Sequence, residues 1–122
     1  MKLVDSCCWI DHFIGQSSVG NISAAISDTE NLIVPTICLF EVYRKILGEK
    51  GKLEALRAVA SMRTGNVIPL DAELAVQAAS ISKEHRIPMA DSIIYATAKQ
   101  ARALLLSRDP HFKGLSGVKY IA

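Results

Sequence analysis

The chain has 122 residues, 50% of them hydrophobic and 21% charged, with a formal net charge of +2. That length suits one domain able to bury roughly two-thirds of its unfolded surface, and the composition excludes a disordered tail and a disulfide-stapled mini-protein. The small positive charge excludes a strongly acidic chain that would repel nucleic acid, but it does not demand such a partner.

The opening Met1-Lys2-Leu3-Val4-Asp5 puts an acid where a secretory leader needs an unbroken apolar run. No apolar run approaches the roughly 20 residues needed to span a bilayer. Three cysteines, with Cys7 and Cys8 adjacent, make a poor disulfide framework and lack zinc-site spacing. A reducing cytoplasm is therefore the expected compartment, with the thiols acting as small core residues.

In chain order, residues 2–4 read as a short strand ending at Asp5. Trp9, Ile10, Phe13 and Ile14 then recur at helical spacing until Gly15 interrupts them. A second amphipathic segment covers 19–26. Leu32, Ile33 and Val34 form an apolar run closed by Pro35, as a buried strand would be. Thr36 is expected to cap a helix that continues to about Leu47, where Gly48 and Gly51 break it. Residues 53–62 form another helix. Gly65 and Asn66 turn the chain into a strand at Val67 and Ile68, and Asp71 caps a helix reaching about His85. Pro88 opens the next segment, 90–101 is helical, 104–106 is a fourth buried strand and 118–121 a fifth. Strands alternating with helices predict a three-layer α/β/α sandwich with a central, mostly parallel sheet, formed by one domain over 1–122.

In an open parallel sheet, ligands sit beyond the carboxyl ends of the strands. Asp5 ends the first strand, and Asp109 follows the fourth after Ser107 and Arg108. A helix cap for Asp5 and an Asp-Pro turn for Asp109 are the plain structural alternatives. Asp91 shares a helix face with Ile94, Tyr95 and Ala98, so it needs a cap, a cation or a metal. Glu41 is open. Periodicity sets it opposite Leu39, Val42, Tyr43 and Ile46, beside Arg44 and Lys45, as a solvated residue would be. Ile37 and Cys38, one turn earlier, make that half of the helix apolar all round. Asp11 is expected on the exposed side of the first helix. His12, His85 and His111 have no metal-ligand spacing and read as surface or packing residues. There is no glycine-rich phosphate loop.

Four segments carry a resemblance that spans essentially the whole chain. They are Met-Lys-Leu-Val-Asp-Ser at the start, Val-Pro-Thr-Ile-Cys-Leu-Phe-Glu-Val-Tyr from Val34, Ile-Pro-Met-Ala-Asp-Ser-Ile-Ile-Tyr-Ala-Thr-Ala from Ile87, and Leu-Leu-Ser-Arg-Asp-Pro-His-Phe from Leu105. In order and spacing they resemble the PIN-domain family, and within it the VapC-type toxins of toxin–antitoxin systems. The resemblance implies that Asp5, Glu41, Asp91 and Asp109 share one pocket, with Ser6 and Ser107 hydrogen-bonding the acids or a bound water. Ser6 stands where Thr is more common, and Cys7, Cys8 and Trp9 depart from the family's usual small aliphatic residues.

Such a cluster of oxygen ligands suits Mg²⁺ or Mn²⁺, since four carboxylates in one cleft repel one another when no cation is bound. Asp5 and Asp91 are the expected principal ligands, with Glu41 and Asp109 completing the site directly or through water, and Arg108 is the candidate for an RNA phosphate. The resemblance further implies metal-dependent endonucleolytic cleavage of single-stranded RNA, a cognate antitoxin that fills the groove, and a homodimer. Apolar residues near Phe40, Tyr43 and Leu47 are candidates for those interfaces, or else ordinary core. One alternative is a catalytically silent PIN-like module that binds RNA or protein. Another is a phosphoacceptor receiver domain using Asp71, although that fold wants paired acids after its first strand and a lysine after a late one.

Overall fold

A computed structural model describes residues 1–15 and 20–121. Strand β1 (Lys2–Val4) leads into helix α1 (Ser6–Ile14), which Gly15 closes at φ 77°, a left-handed conformation that glycine adopts without strain. Helix α2 (Gly20–Ser27) follows; Val19, where the sequence pattern starts this segment, lies outside the described residues. A 3₁₀ turn leads into β2 (Leu32–Pro35), every residue of which is buried.

Helices α3 (Thr36–Lys50) and α4 (Lys52–Met62) come next, then β3 (Asn66–Ile68), α5 (Ala72–His85) and α6 (Met89–Gln100). Strand β4 (Leu104–Ser107), a 3₁₀ turn over Pro110–Phe112 and β5 (Val118–Tyr120) complete the chain. Two expectations change. Thr36 is not the cap of α3 but its first residue; Pro35 holds the cap position, and the Thr36 hydroxyl accepts the Leu70 N–H at 3.3 Å instead. The helix also runs through Gly48 and ends at Gly51, whose φ of 86° is the true breaker. A mid-helix glycine costs only about 1 kcal/mol, which the buried packing of Ile46 two residues earlier offsets.

The sheet order is β3-β2-β1-β4-β5, and each of the four pairings is parallel. The chain steps outward from β1 through β2 to β3, then crosses back over both to reach β4. Under the right-handed crossover rule, that reversal sends α5 and α6 to the face opposite the earlier helices. With both faces covered, central strands lose their polar alternation: Leu3, Val4, Leu32, Ile33, Val34, Leu105 and Leu106 are all buried. Trp9 stacks on Phe13 with ring centroids 5.6 Å apart, and buried Tyr95 donates its hydroxyl to the Ser116 carbonyl at 2.6 Å.

This topology positions the site. The connection leaving β1 runs toward β2, while the one leaving β4 runs toward β5. The crevice beyond their carboxyl ends is therefore a switch point, where no crossing helix covers the strand ends.

Candidate active site

Asp5 occupies that crevice and is 3% exposed. It is also the N-cap of α1: Oδ1 accepts the Ser6 N–H at 2.7 Å, and its carbonyl accepts from the amides of Cys8 and Trp9. Cap and site are thus not alternatives at this position. One oxygen secures the helix, and Oδ2 is left to accept the Ser107 hydroxyl at 2.6 Å and the Cys7 thiol at 3.5 Å.

Two serines tie three of the acids together. Ser107, at the end of β4, donates to Asp5 and accepts the Asp109 N–H at 2.9 Å. Ser6 donates its hydroxyl to Oε1 of Glu41 at 2.7 Å while its amide holds Asp5. Glu41, which periodicity left open, is half-buried and turned into the crevice. The first turns of α3 pack against α1, and the side of α3 opposite its core stripe faces the cleft rather than bulk water. Asp91 lies in the first turn of α6, where Pro88 holds the cap position without a side-chain cap, so the plain cap reading of Asp91 does not hold. A carboxylate there also gains from the helix dipole. Asp109 caps the 3₁₀ turn, its Oδ1 accepting the His111 N–H at 2.9 Å.

All four acids line one cleft of about 640 Å³, together with Ser6, Cys7, Phe40, Arg44, Lys45 and Met89 among others. Their electrostatics follow from crowding. Burial lifts the carboxyl pKa of Asp5 against the opposing hydrogen bonds from Ser107, the Ser6 amide and Cys7, with the Asp109 charge adding to the rise. Burial also lifts Glu41, against the Ser6 hydrogen bond, and the charges of Asp5 and Asp109 add to it. Asp91 is pushed up to about 6 by burial and by the charges of Asp109 and Asp5, against the pull of His111. Each shift says that negative charge is unwelcome in the cleft without a cation. The four carboxylates, all oxygen donors, fit a hard divalent ion.

Other side chains depart from expectation. His111 is not a bystander: its Nδ1 lies 2.8 Å from Asp91 Oδ2 and 3.1 Å from Asp109 Oδ1. The three residues offer ligand atoms within 4.8 Å of one another. The Asp-x-His spacing was visible in the sequence, but its meeting with Asp91 on another element was not. Cys8 and Cys38 are buried as expected, whereas Cys7 lines the cleft; its hydrogen bond with Cys8 and its burial beside Asp5 raise its pKa and keep it a thiol. Asp11 is largely covered by Arg108, whose Nε and Nη2 reach its two oxygens at 2.5 and 2.9 Å. Phe40 and Leu47 are exposed, and Tyr43 packs against the core. Asp71 caps α5, its Oδ1 accepting the Leu74 N–H, and lies outside the cleft lining, which removes the receiver-domain reading.

Fold and site together define a parallel α/β/α protein with a carboxylate-lined cleft at the switch point of its sheet. Residues 2–118 match the PIN domain, and the chain belongs to that family. Among solved structures, it is similar to a toxin–antitoxin complex from Klebsiella pneumoniae, with a TM-score of 0.81 at 24% identity, over 99% of this chain and 100% of that one. It is also similar to VapC20 of Mycobacterium tuberculosis, a sarcin–ricin loop cleaving toxin, with a TM-score of 0.76 at 16% identity over 95% of each chain. VapBC2 from Rickettsia felis, solved on a DNA fragment from its promoter, gives 0.75 at 13% identity, over 98% of this chain and 96% of that one. At these identities the likeness is one of fold. No curated protein matches significantly in sequence.

Proposed function

We propose that this protein is a Mg²⁺- or Mn²⁺-dependent endoribonuclease that cleaves single-stranded RNA and is the toxin of a toxin–antitoxin pair. The observation that carries the reading is the convergence of Asp5, Glu41, Asp91 and Asp109 on one cleft, with Ser6 and Ser107 tying Asp5, Glu41 and Asp109 together. Membership of the PIN family and the likeness to toxin structures support it.

In this reading Asp5 and Asp91 are the principal metal ligands, with Glu41 and Asp109 completing the site directly or through water. Held by these carboxylates, a divalent ion would supply Lewis acidity, easing deprotonation of the water that hydrolyses the phosphodiester. The chain's own residues do the rest. Ser107 and Ser6 fix the rotamers of Asp5 and Glu41, so that the carboxylates do not reorganise as charge develops. Arg44 and Lys45 bring positive charge to the cleft, although Lys45 also pairs with Glu49 at 3.0 Å. Arg108 is the candidate for a substrate phosphate. Its guanidinium is half-exposed, and it would exchange or share Asp11 to make that contact.

Exposed apolar Phe40 and Met89 on the cleft wall suit a protein segment entering the groove, as an antitoxin would. A homodimer and a cytoplasmic setting accompany this reading; among the described residues no helix is long and apolar enough to cross a membrane.

The test is cleavage of a mixed single-stranded RNA pool by partner-free protein with Mg²⁺ or Mn²⁺, alongside an EDTA control and folded Asp5→Asn and Asp91→Asn variants. Activity abolished by EDTA and by both substitutions is the expected result. Equal cleavage by the variants sinks the site assignment. RNA binding without cleavage under every condition favours the silent binding module.

A further inference from the structure

Four carboxylates do not explain the imidazole set among two of them. His111 comes from the 3₁₀ turn after β4, and it is held there from both sides. Its own N–H donates to Asp109 Oδ1, and the next residue, Phe112, is fully buried in the core. The ring is therefore aimed by the turn, although 54% of the side chain is open to solvent. Nδ1 lies 2.8 Å from Asp91 Oδ2 and 3.1 Å from Asp109 Oδ1. Neighbouring donors around a six-coordinate ion with bonds of about 2.1 Å stand roughly 3 Å apart, so these spacings match two edges of such a shell.

We propose that His111 is a metal ligand, its Nδ1 joining Asp91 and Asp109 in a mixed nitrogen–oxygen site. The proposal deepens the metal reading above and rests on it. Coordination through Nδ1 would need that atom free of its proton, which would pass to solvent. An all-carboxylate site suits Mg²⁺, whereas an imidazole favours later divalent ions, rising through Mn²⁺ and Co²⁺. The chain's centre therefore prefers Mn²⁺ over Mg²⁺ by more than its carboxylates alone would give. His111 also has a role without metal, as the counter-ion of Asp91 and Asp109. What distinguishes a ligand from a mere counter-ion is whether the ring stays when the metal arrives.

The experiment uses the full chain with Mn²⁺ alone as probe, without RNA. Pulsed electron paramagnetic resonance of bound Mn²⁺ reads directly coordinated imidazole nitrogen, and calorimetric titration gives the Mn²⁺ and Mg²⁺ affinities. The expected result is a nitrogen coupling in the parent protein that disappears in His111→Asn. Mn²⁺ affinity falls about tenfold in that variant and Mg²⁺ affinity less than about threefold. Bound Mn²⁺ without nitrogen coupling in the parent overturns the proposal while leaving the carboxylate site standing, and this readout needs no variant to fold. A coupling that survives in folded His111→Asn also overturns it. Failure of the parent to bind Mn²⁺ overturns this proposal, and failure to bind either Mn²⁺ or Mg²⁺ overturns both readings. Binding unchanged by Asp91→Asn overturns this site and the broader assignment of Asp91 as a metal ligand.

Discussion

The Ser107 hydroxyl donates to Oδ2 of Asp5 at 2.6 Å, joining the carboxyl ends of β4 and β1 inside the core. A buried carboxylate without donors would be strongly disfavoured, and this bond is the largest influence holding the Asp5 pKa down against burial. Removing the donor in Ser107→Ala is expected to destabilise the protein by about 2 kcal/mol at pH 7, as for a buried hydrogen bond to a charged group. The loss shrinks at pH 5, where Asp5 takes up a proton more readily. Urea unfolding at the two pH values checks this, and an equal loss at both would mean that Ser107 acts through packing and its bond to the Asp109 amide rather than through the Asp5 charge.

The acids of the cleft give the metal-free protein an unusual pH dependence. Asp91 titrates near 6 in the folded protein against 3.8 ordinarily. Between about pH 4 and 6 the unfolded chain has therefore released a proton that the folded chain still holds. Stability falls as pH rises through this window, by about 1–2 kcal/mol from Asp91 once solvent screening is allowed for, and then levels above it. Asp5 and Glu41 shift in the same direction and add to the slope. In EDTA, Asp91→Asn should flatten the profile and stabilise the protein at pH 7 by about 1 kcal/mol. A stability that climbs from pH 4 to 7 would contradict the crowding described above.

Glu41→Gln separates structure from chemistry. The amide oxygen of glutamine can still accept the Ser6 hydroxyl, so the melting temperature should change by no more than a few degrees. Mn²⁺ affinity and RNA cleavage should each fall at least tenfold, because a ligand charge is gone. Unchanged cleavage would return Glu41 to the solvated role that periodicity permits.

Arg108 and Asp11 form a fork on the surface next to the site, with Arg108 half-exposed. Asp11→Asn should cost less than about 1 kcal/mol in stability. If Arg108 meets a phosphate, Arg108→Gln should weaken binding to unrelated single strands uniformly and lower the slope of log affinity against log salt by about 1. A salt slope identical to that of the parent would leave the arginine only its bond to Asp11.

Gly65 tests the sheet rather than the site. A Cβ there would meet Val34 Cγ2 at 3.0 Å and the Leu32 carbonyl at 3.2 Å, both on buried β2. Gly65→Ala is expected to lower stability by about 1–3 kcal/mol, through overpacking. Thermal unfolding is the check, and a neutral result would show that β2 yields more than its burial suggests.

The strands and most helices were legible in the chain, because a short apolar run closed by Pro35 and helical spacing such as that of Trp9 and Phe13, closed by Gly15, are local signals. Asp5 and Asp109 were legible for the same reason: position at a strand end needs only the neighbouring residues. Glu41 was not. Helical periodicity reports which face is apolar on average, whereas the polar side of α3 opens onto a cleft formed with α1 and α6. The cap of α3 also moved off Thr36, whose hydroxyl is engaged by Leu70 from beyond β3. His111 shows the limit most clearly. Its turn could be read from Asp109 and Pro110, but its ring finds Asp91 only because β4 lies beside β1 and α6 begins at the same sheet edge. By itself the sequence determined the elements and which acids ended them, since those depend on near neighbours. Beyond the pocket of acids and serines that the family resemblance implied, the tertiary structure decided which side chains meet, His111 with Asp91 above all, because those energies act through space between residues that chain spacing does not bring together.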